Sequence, residues 1–157
     1  MKFGASTRSF GGRSIKETAE IFASAGLSCC ELCFCQNDLH GWKYNLCGYS
    51  ELPSVREVKQ AIEIFAEKGI EVSALGVYNS YRCESPVDFT DSARLFAEYC
   101  NLAYETGVKI LATHTGTTAF RVINPKENAE VFEKLCCGFL LSCIEAEKYG
   151  LTIGTEC

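Results

Sequence analysis

Apolar positions along the chain follow two alternating spacings, and a glycine separates them each time. Four amphipathic stretches with helical spacing end in a glycine, after which a short apolar or β-branched run follows. The four junctions are Ala25-Gly26, Lys68-Gly69, Thr106-Gly107 and Tyr149-Gly150. Because glycine takes the left-handed backbone conformation without a Cβ clash, each junction marks the end of a helix. The glycines recur about every 40 residues, which is the length of one strand, one helix and two loops.

The amphipathic stretches predict four helices. Their ranges are Ser14–Ala25, Ser54–Lys68, Asp91–Thr106 and Glu127–Tyr149. The first two begin with a serine followed three residues later by a glutamate, a capping-box pattern that satisfies amides of the first helical turn. The fourth helix is the longest, and its apolar positions include Val131, Leu135, Phe139, Leu140 and Ile144.

Five short apolar runs predict strands, and they alternate strictly with the helices. The runs are Lys2–Ser6, Cys29–Phe34, Glu71–Val77, Lys109–His114 and Thr152–Glu156. Alternating βα units predict parallel strands joined by right-handed crossovers. The pattern does not encode strand order, so an open doubly wound sheet is the alternative. That sheet commonly has a Gly-x-Gly-x-x-Gly loop after its first strand, whereas Phe10-Gly11-Gly12-Arg13 follows here.

The predicted fold class is α/β, a (β/α)8 TIM barrel truncated to about five βα units. A complete barrel typically needs about 250 residues, and this chain has 157. Its last predicted strand has no following helix to cover it, which would leave an unpaired edge. We therefore expect residues 1–157 to form a single partial barrel domain that lacks the three C-terminal units.

The net charge and the cysteine content indicate which classes of partner and which cellular compartment to expect. A net charge of −5 disfavours nucleic acid, whose phosphates require a positive surface. No signal peptide or membrane-spanning run is recognisable, so we expect a cytoplasmic protein with reduced thiols. Most of the eleven cysteines lie in apolar segments and are expected to act as small core hydrophobes: Cys29, Cys30, Cys33, Cys100, Cys136, Cys137 and Cys143. The Cys30-x-x-Cys33 spacing lacks a second pair or nearby histidine for a zinc site.

Polar residues with candidate chemistry follow the predicted strands. Active sites of parallel α/β folds form at the carboxyl ends of the strands. Those positions hold Glu31 after the second strand, Asn79 after the third, His114 after the fourth and Glu156 after the fifth. A long loop after the second strand contains Trp42, and loops of that length in compact domains are often functional.

Several of these segments resemble the xylose-isomerase-like sugar phosphate isomerase/epimerase superfamily. The opening 2–7 is similar to its first strand, and 25–32, Ala-Gly-Leu-Ser-Cys-Cys-Glu-Leu, is similar to its second. Residues 106–116, with His114-Thr115-Gly116, look like the fourth strand, and 146–156, ending in Glu156, like the fifth. Each motif is loose, but together they stand in the order and spacing of that superfamily over essentially the whole chain.

The resemblance implies a metal-dependent sugar or sugar-phosphate isomerase or epimerase. Glu156 would bind a divalent cation and act as a catalytic acid/base, with the remaining ligands supplied by strands six to eight. An oxygen-rich ligand set with one imidazole suits Mn²⁺, Mg²⁺ or Co²⁺. The substrate would be a small sugar or sugar phosphate bound near His114, Glu31, Trp42 and Asn79, and the 157-residue chain alone is expected to be inactive. Homo-oligomerisation is left open, with neither nucleic acid nor membrane as a partner.

Other interpretations remain open at this point. Glu156 can be a solvated strand end, His114 a core histidine, Glu31 a support for the barrel mouth, and Trp42 part of its own loop's packing. An endonuclease-IV-like apurinic DNA repair hydrolase also has a histidine on strand four and a glutamate on strand five. It differs in carrying a histidine on strand three, where this chain has Tyr78-Asn79. A non-catalytic truncated remnant is the third possibility.

Overall fold

The structure, a computed structural model, describes residues 1–39, 52–77, 86–114 and 125–156. The side chains at 86–89, 114, 125–128 and 156 are outside this description. Strands alternate with helices along the whole chain. The elements are β1 Gly4–Ser6, a 3-10 turn Thr7–Phe10, α1 Ile15–Ser24, β2 Cys29–Leu32, α2 Val55–Glu67, β3 Glu71–Val77, α3 Pro86–Thr106, β4 Ile110–His114, α4 Pro125–Lys148 and β5 Thr152–Glu156.

The five strands form one parallel sheet in the order β1-β2-β3-β4-β5. Sequential order with right-handed crossovers places every helix on the same side of the sheet. A doubly wound sheet would reverse its strand order at a switch point, and no reversal occurs among these strands. The predicted barrel architecture is therefore confirmed over five units.

One row of side chains across the sheet forms the base of the core. Leu32 pairs in register with Leu75, Leu75 with Leu111, and Leu111 with Ile153. The three leucines are fully buried, and Phe22 and Phe65 from α1 and α2 belong to the same cluster. Successive residues of a strand alternate between its two faces. The residues on either side of these leucines therefore lie on the opposite face of the sheet, which is the inner face of the barrel.

The predicted helix boundaries are confirmed where a cap or a glycine fixes them. Ser14 and Ser54 accept hydrogen bonds from the Glu17 and Glu57 amides, and both glutamates complete their capping boxes. The helix-terminating glycines all have positive φ, which only glycine adopts without strain: Gly26 at 71°, Gly69 at 73°, Gly107 at 79° and Gly150 at 63°.

Other boundaries differ from the sequence prediction. Helix α3 begins at Pro86 rather than Asp91, and α4 begins at Pro125 rather than Glu127. Proline suits the first helical position because its missing N–H has no partner there in any helix. Strand β2 ends at Leu32, short of Phe34, and the 3-10 turn after β1 was not predicted.

Helix α4 is less buried than its sequence pattern predicts. Leu140 is 61% exposed and Ile144 is 49% exposed, although both belong to the apolar positions of the predicted helix. Three cysteines of the same helix, Cys136, Cys137 and Cys143, are exposed rather than buried. The apolar residues of α4 span more than one face, and α3 and the sheet cover only part of them.

The remaining described cysteines agree with the expectation of core thiols. Cys30, Cys33 and Cys100 are fully buried and Cys29 is half-buried. Burial raises the pKa of Cys30 and of Cys100 to about 12, so both stay protonated at neutral pH and are poor nucleophiles. In the part of the chain that the structure describes, no cysteine is in a disulfide and no helix has the length and apolarity to cross a membrane.

Candidate functional site

The inner face of the sheet is lined largely by small residues. Gly76 pairs in register with Ala112, and Ala112 with Gly154. Glu31 pairs with Ala74 on the same side, across a register shift in β2. Interiors of barrels are usually filled by bulky branched side chains, so these small residues leave space beside the Glu31 side chain.

Glu31 lies in space that a side chain on β3 would otherwise occupy. A Cβ added to Gly76 would be 2.5 Å from Glu31 Oε1 and 2.6 Å from Cys33 Sγ. Both distances are shorter than any normal contact to carbon. The glycine therefore allows the Glu31 carboxylate and the Cys33 thiol to converge over bare backbone near the carboxyl ends of β2 and β3.

The 3-10 turn after β1 holds the segment that follows β2 in place. The hydroxyl of fully buried Thr7 donates to the Cys33 carbonyl at 3.1 Å and accepts from the Cys33 amide at 2.8 Å. Ser6 Oγ lies 3.1 Å from Cys33 Sγ. These contacts fix both the backbone and the side chain of Cys33 beside Glu31.

A buried amide extends this network. Gln36 is 1% exposed, and its Nε2 donates to the Thr7 carbonyl at 3.0 Å and to Cys35 Sγ at 3.2 Å. Its Oε1 is buried and has no hydrogen-bond partner among the described residues. The two Nε2 bonds fix the orientation of the amide, since the Thr7 carbonyl can only accept.

His114 and Glu156 occupy paired positions. They are the last residues of β4 and β5, and they are directly opposite each other in the parallel register. Glu31 is on β2, three strands from β5, which is about 14 Å of sheet at normal strand spacing. Trp42 and Asn79, the other two predicted site residues, lie outside the described residues.

Solved structures resemble this chain in fold. A sugar phosphate isomerase/epimerase from Parabacteroides distasonis matches 98% of the chain with a TM-score of 0.64 at 18% identity. A D-tagatose 3-epimerase-like protein matches 99% with a TM-score of 0.70 at 16% identity. A xylose isomerase-like TIM barrel/4-hydroxyphenylpyruvate dioxygenase fusion protein matches 99% with a TM-score of 0.61 at 19% identity. The chain therefore has the fold of part of a TIM barrel.

The chain spans about half the length of the first two structures, 50% and 52%, and 21% of the fusion protein. No family model matches the chain, and no curated protein matches it either. The likeness is therefore one of fold, and a fold of this kind supports many reactions.

The described residues do not by themselves make up a metal centre. No group of three His, Cys, Asp or Glu side chains suited to a cation occurs among the side chains that the structure describes. Of the ligands that the resemblance implies, this chain supplies Glu156 at the end of β5. A single carboxylate is fewer than the several oxygen ligands that Mg²⁺ or Mn²⁺ requires.

Sequence reasoning missed part of the site. Gly76 and Thr7 were not predicted as site residues, and Cys33 was predicted only as a core thiol, although all three position Glu31 or the segment after it. A signal was available for Gly76, since a glycine inside the run Glu71–Val77 suggests a close approach of another group. Nothing in the sequence pairs Thr7 with Cys33, which are 26 residues apart.

Proposed function

We propose that this chain is part of a sugar or sugar-phosphate isomerase or epimerase that moves a proton through an enediolate. The similarity in fold to a sugar phosphate isomerase/epimerase and to a D-tagatose 3-epimerase-like protein supports the proposal. The observation that carries it is the sequential parallel sheet, with Glu31, His114 and Glu156 at or near the carboxyl ends of β2, β4 and β5. Barrel enzymes hold their catalytic groups at that end.

The proposed roles follow from residue chemistry. Glu156 is the acid/base that removes and returns the proton on the carbon beside the carbonyl, because a carboxylate can alternate between the two states. His114 and Glu31 hydrogen-bond substrate hydroxyls. Trp42 and Asn79 complete the proposed substrate site, and both assignments remain predictions from the sequence.

The small inner face supports a small polar substrate. Gly76, Ala112 and Gly154 leave room at the level where Glu31 lies. About 14 Å of sheet between β2 and β5 is more than one hydrogen bond spans, so Glu31 and Glu156 would contact different parts of a bound sugar. A divalent cation, as the resemblance implies, would polarise the carbonyl of that sugar.

Isotope exchange tests this function. The natural gene product that contains this chain would be incubated in D2O with Mn²⁺ and a panel of ketohexoses, pentuloses and their phosphates. NMR then follows deuterium entry at the carbon beside the carbonyl. We expect exchange with at least one sugar, and a loss of about 100-fold or more for Glu156→Gln, the usual effect of removing an acid/base. The 157-residue chain alone is expected to be inactive.

Glu147→Gln provides the matched control, because Glu147 is an exposed glutamate of α4. Its exchange rate should equal that of the unmodified protein. Failure of the folded, metal-loaded protein to exchange deuterium into any of these sugars would contradict the proposed function. Equal rates for the two Gln variants would contradict the role of Glu156 alone.

A further inference from the structure

Two buried cysteines in the segment after β2 lie outside the main core. Cys33 and Cys35 are 0% and 4% exposed and form a two-residue cluster of their own. Side chains belong to one such cluster when their heavy atoms come within about 4–4.5 Å of each other. The two thiols are therefore neighbours in space as well as in sequence.

The backbone between these cysteines makes a tight turn. The Cys35 amide donates to the Cys33 carbonyl at 2.7 Å, which is the three-residue hydrogen bond of a γ-turn. In an extended strand, Cα atoms two residues apart are separated by about 6.6 Å, and the turn shortens that separation. Disulfides join Cα atoms about 4.4–6.8 Å apart. The backbone spacing therefore already allows a bond between Cys33 and Cys35.

The structure separates this pair from the other cysteines of the same segment. Cys30 belongs to the main core cluster together with Leu32, so its thiol does not contact that of Cys33. The Cys30-x-x-Cys33 spacing in the sequence consequently does not bring two thiols together. Cys29 begins β2, about 13 Å of strand away from Cys33. Among the four cysteines between residues 29 and 35, only Cys33 and Cys35 share a cluster.

Polar groups around Cys35 favour its thiolate form. Gln36 Nε2 donates to Cys35 Sγ at 3.2 Å, and the Thr7 carbonyl accepts from the Cys35 thiol at 3.4 Å. Burial raises the pKa of Cys35, while the Gln36 hydrogen bond and the charge of Arg8 oppose that rise. Since the thiolate is the reactive form of cysteine, Cys35 is the member of the pair whose surroundings suit an attacking sulfur.

We propose that Cys33 and Cys35 form an oxidation site that hydrogen peroxide converts into a disulfide. The Cys35 thiolate attacks one peroxide oxygen, the O–O bond breaks, and the departing hydroxide takes up a proton to become water. Cys35 is then a sulfenic acid. The Cys33 sulfur attacks the Cys35 sulfur, the S–O bond breaks, and a second water leaves with the proton of the Cys33 thiol. The two thiols lose two electrons, and the peroxide gains them.

The position of the pair in the chain makes this oxidation feasible and reversible. The next residues, Asn37 and Asp38, are exposed, so local opening of a short segment admits a molecule as small as hydrogen peroxide. The disulfide removes the contact of Cys33 Sγ with Ser6 Oγ and the Cys35 hydrogen bond to the Thr7 carbonyl. A bond between residues two positions apart closes a small, strained ring, and strained disulfides are readily reduced.

Peptide mapping of the oxidised protein tests the proposal. The natural gene product that contains this chain would be reduced, treated with hydrogen peroxide, unfolded and alkylated with iodoacetamide. Trypsin releases residues 17–43 as one peptide, which holds Cys29, Cys30, Cys33 and Cys35. We expect four alkyl groups on this peptide before oxidation and two afterwards, on Cys29 and Cys30. Dithiothreitol added before alkylation should restore all four.

Oxidation in concentrated urea is the control for the folded geometry. The unfolded chain should give a mixture of linkages among the four cysteines, because nothing then holds Cys33 beside Cys35. Four alkyl groups after peroxide treatment of the folded protein, or a linkage that includes Cys29 or Cys30, would overturn the proposal. So would the same mixture from the folded and the unfolded protein.

Serine variants test the role of each sulfur. Cys29→Ser is the matched control and should oxidise at the rate of the unmodified protein, whereas Cys35→Ser should form no disulfide in this peptide. In Cys33→Ser the Cys35 sulfenic acid has no second thiol to react with, and dimedone should trap it. Trapping at Cys33 in Cys35→Ser should be at least about fivefold slower, because Cys35 has the groups that favour a thiolate. Equal trapping in both variants would overturn the assignment of Cys35 as the attacking sulfur, and circular dichroism confirms that each variant is folded.

Discussion

Replacing Gly76 by alanine tests the close approach of β2 and β3 on the inner face. The new Cβ would lie 2.5 Å from Glu31 Oε1 and 2.6 Å from Cys33 Sγ, about 1 Å inside a normal carbon contact. Overpacking of this kind typically costs about 1–3 kcal/mol. Alanine also reduces the backbone freedom of the unfolded chain, which stabilises the folded protein by about 0.4–1 kcal/mol and offsets part of this cost. We expect a net loss of about 1–2 kcal/mol in the free energy of unfolding.

The cost depends on which neighbour can move. The Glu31 carboxylate ends a flexible side chain and can rotate away from the added methyl group. Cys33 cannot shift as easily, because Thr7 bonds both its amide and its carbonyl. Combining Gly76→Ala with Cys33→Ala should therefore recover part of the loss, and a double-mutant cycle measures that coupling.

Gly154→Ala is the matched control. Gly154 lies in the same inner row as Gly76, yet the nearest atom to an added Cβ is Ile110 Cγ2 at 3.9 Å, an ordinary contact. This variant should be unchanged or up to about 1 kcal/mol more stable. Urea unfolding measures the midpoint of each variant, and the midpoints can be compared directly when the m-value is the same for both. If the two alanine variants have equal midpoints, the inferred crowding of Glu31 and Cys33 over Gly76 is wrong.

Two further predictions concern ionisation. Hydrogen bonds from Ser14 hold the pKa of Glu17 below its ordinary 4.5, so its contribution to stability is present above pH 4.5 and disappears as the pH falls through the lower folded value. Urea midpoints of Glu17→Gln, which keeps the cap but does not titrate, should fall less over that range than those of the unmodified chain. Iodoacetamide at pH 8 should label exposed Cys136 and Cys143 quickly, while Cys30 and Cys100, with pKa values raised to about 12 by burial, should react only on unfolding. Peptide mapping measures both rates, and equal rates would contradict the burial.

The order of elements was predictable because its causes are local. Capping boxes at Ser14 and Ser54 and left-handed glycines such as Gly26 and Gly69 act over three or four residues, so sequence spacing alone reveals them. The exposed apolar face of α4 was not predictable in the same way. Helical spacing identifies apolar positions, but only the placement of α3 and the sheet decides which are covered.

The sequence by itself determined the alternation of helices and strands and the residues that end each strand, including Glu31, His114 and Glu156. Only the tertiary structure decided that the five strands lie in sequential order, that His114 pairs with Glu156, and that Glu31 lies over Gly76 beside Cys33. These contacts join residues 25 to 45 positions apart. Their formation depends on strand register and on the space left by a missing side chain, which no local pattern contains.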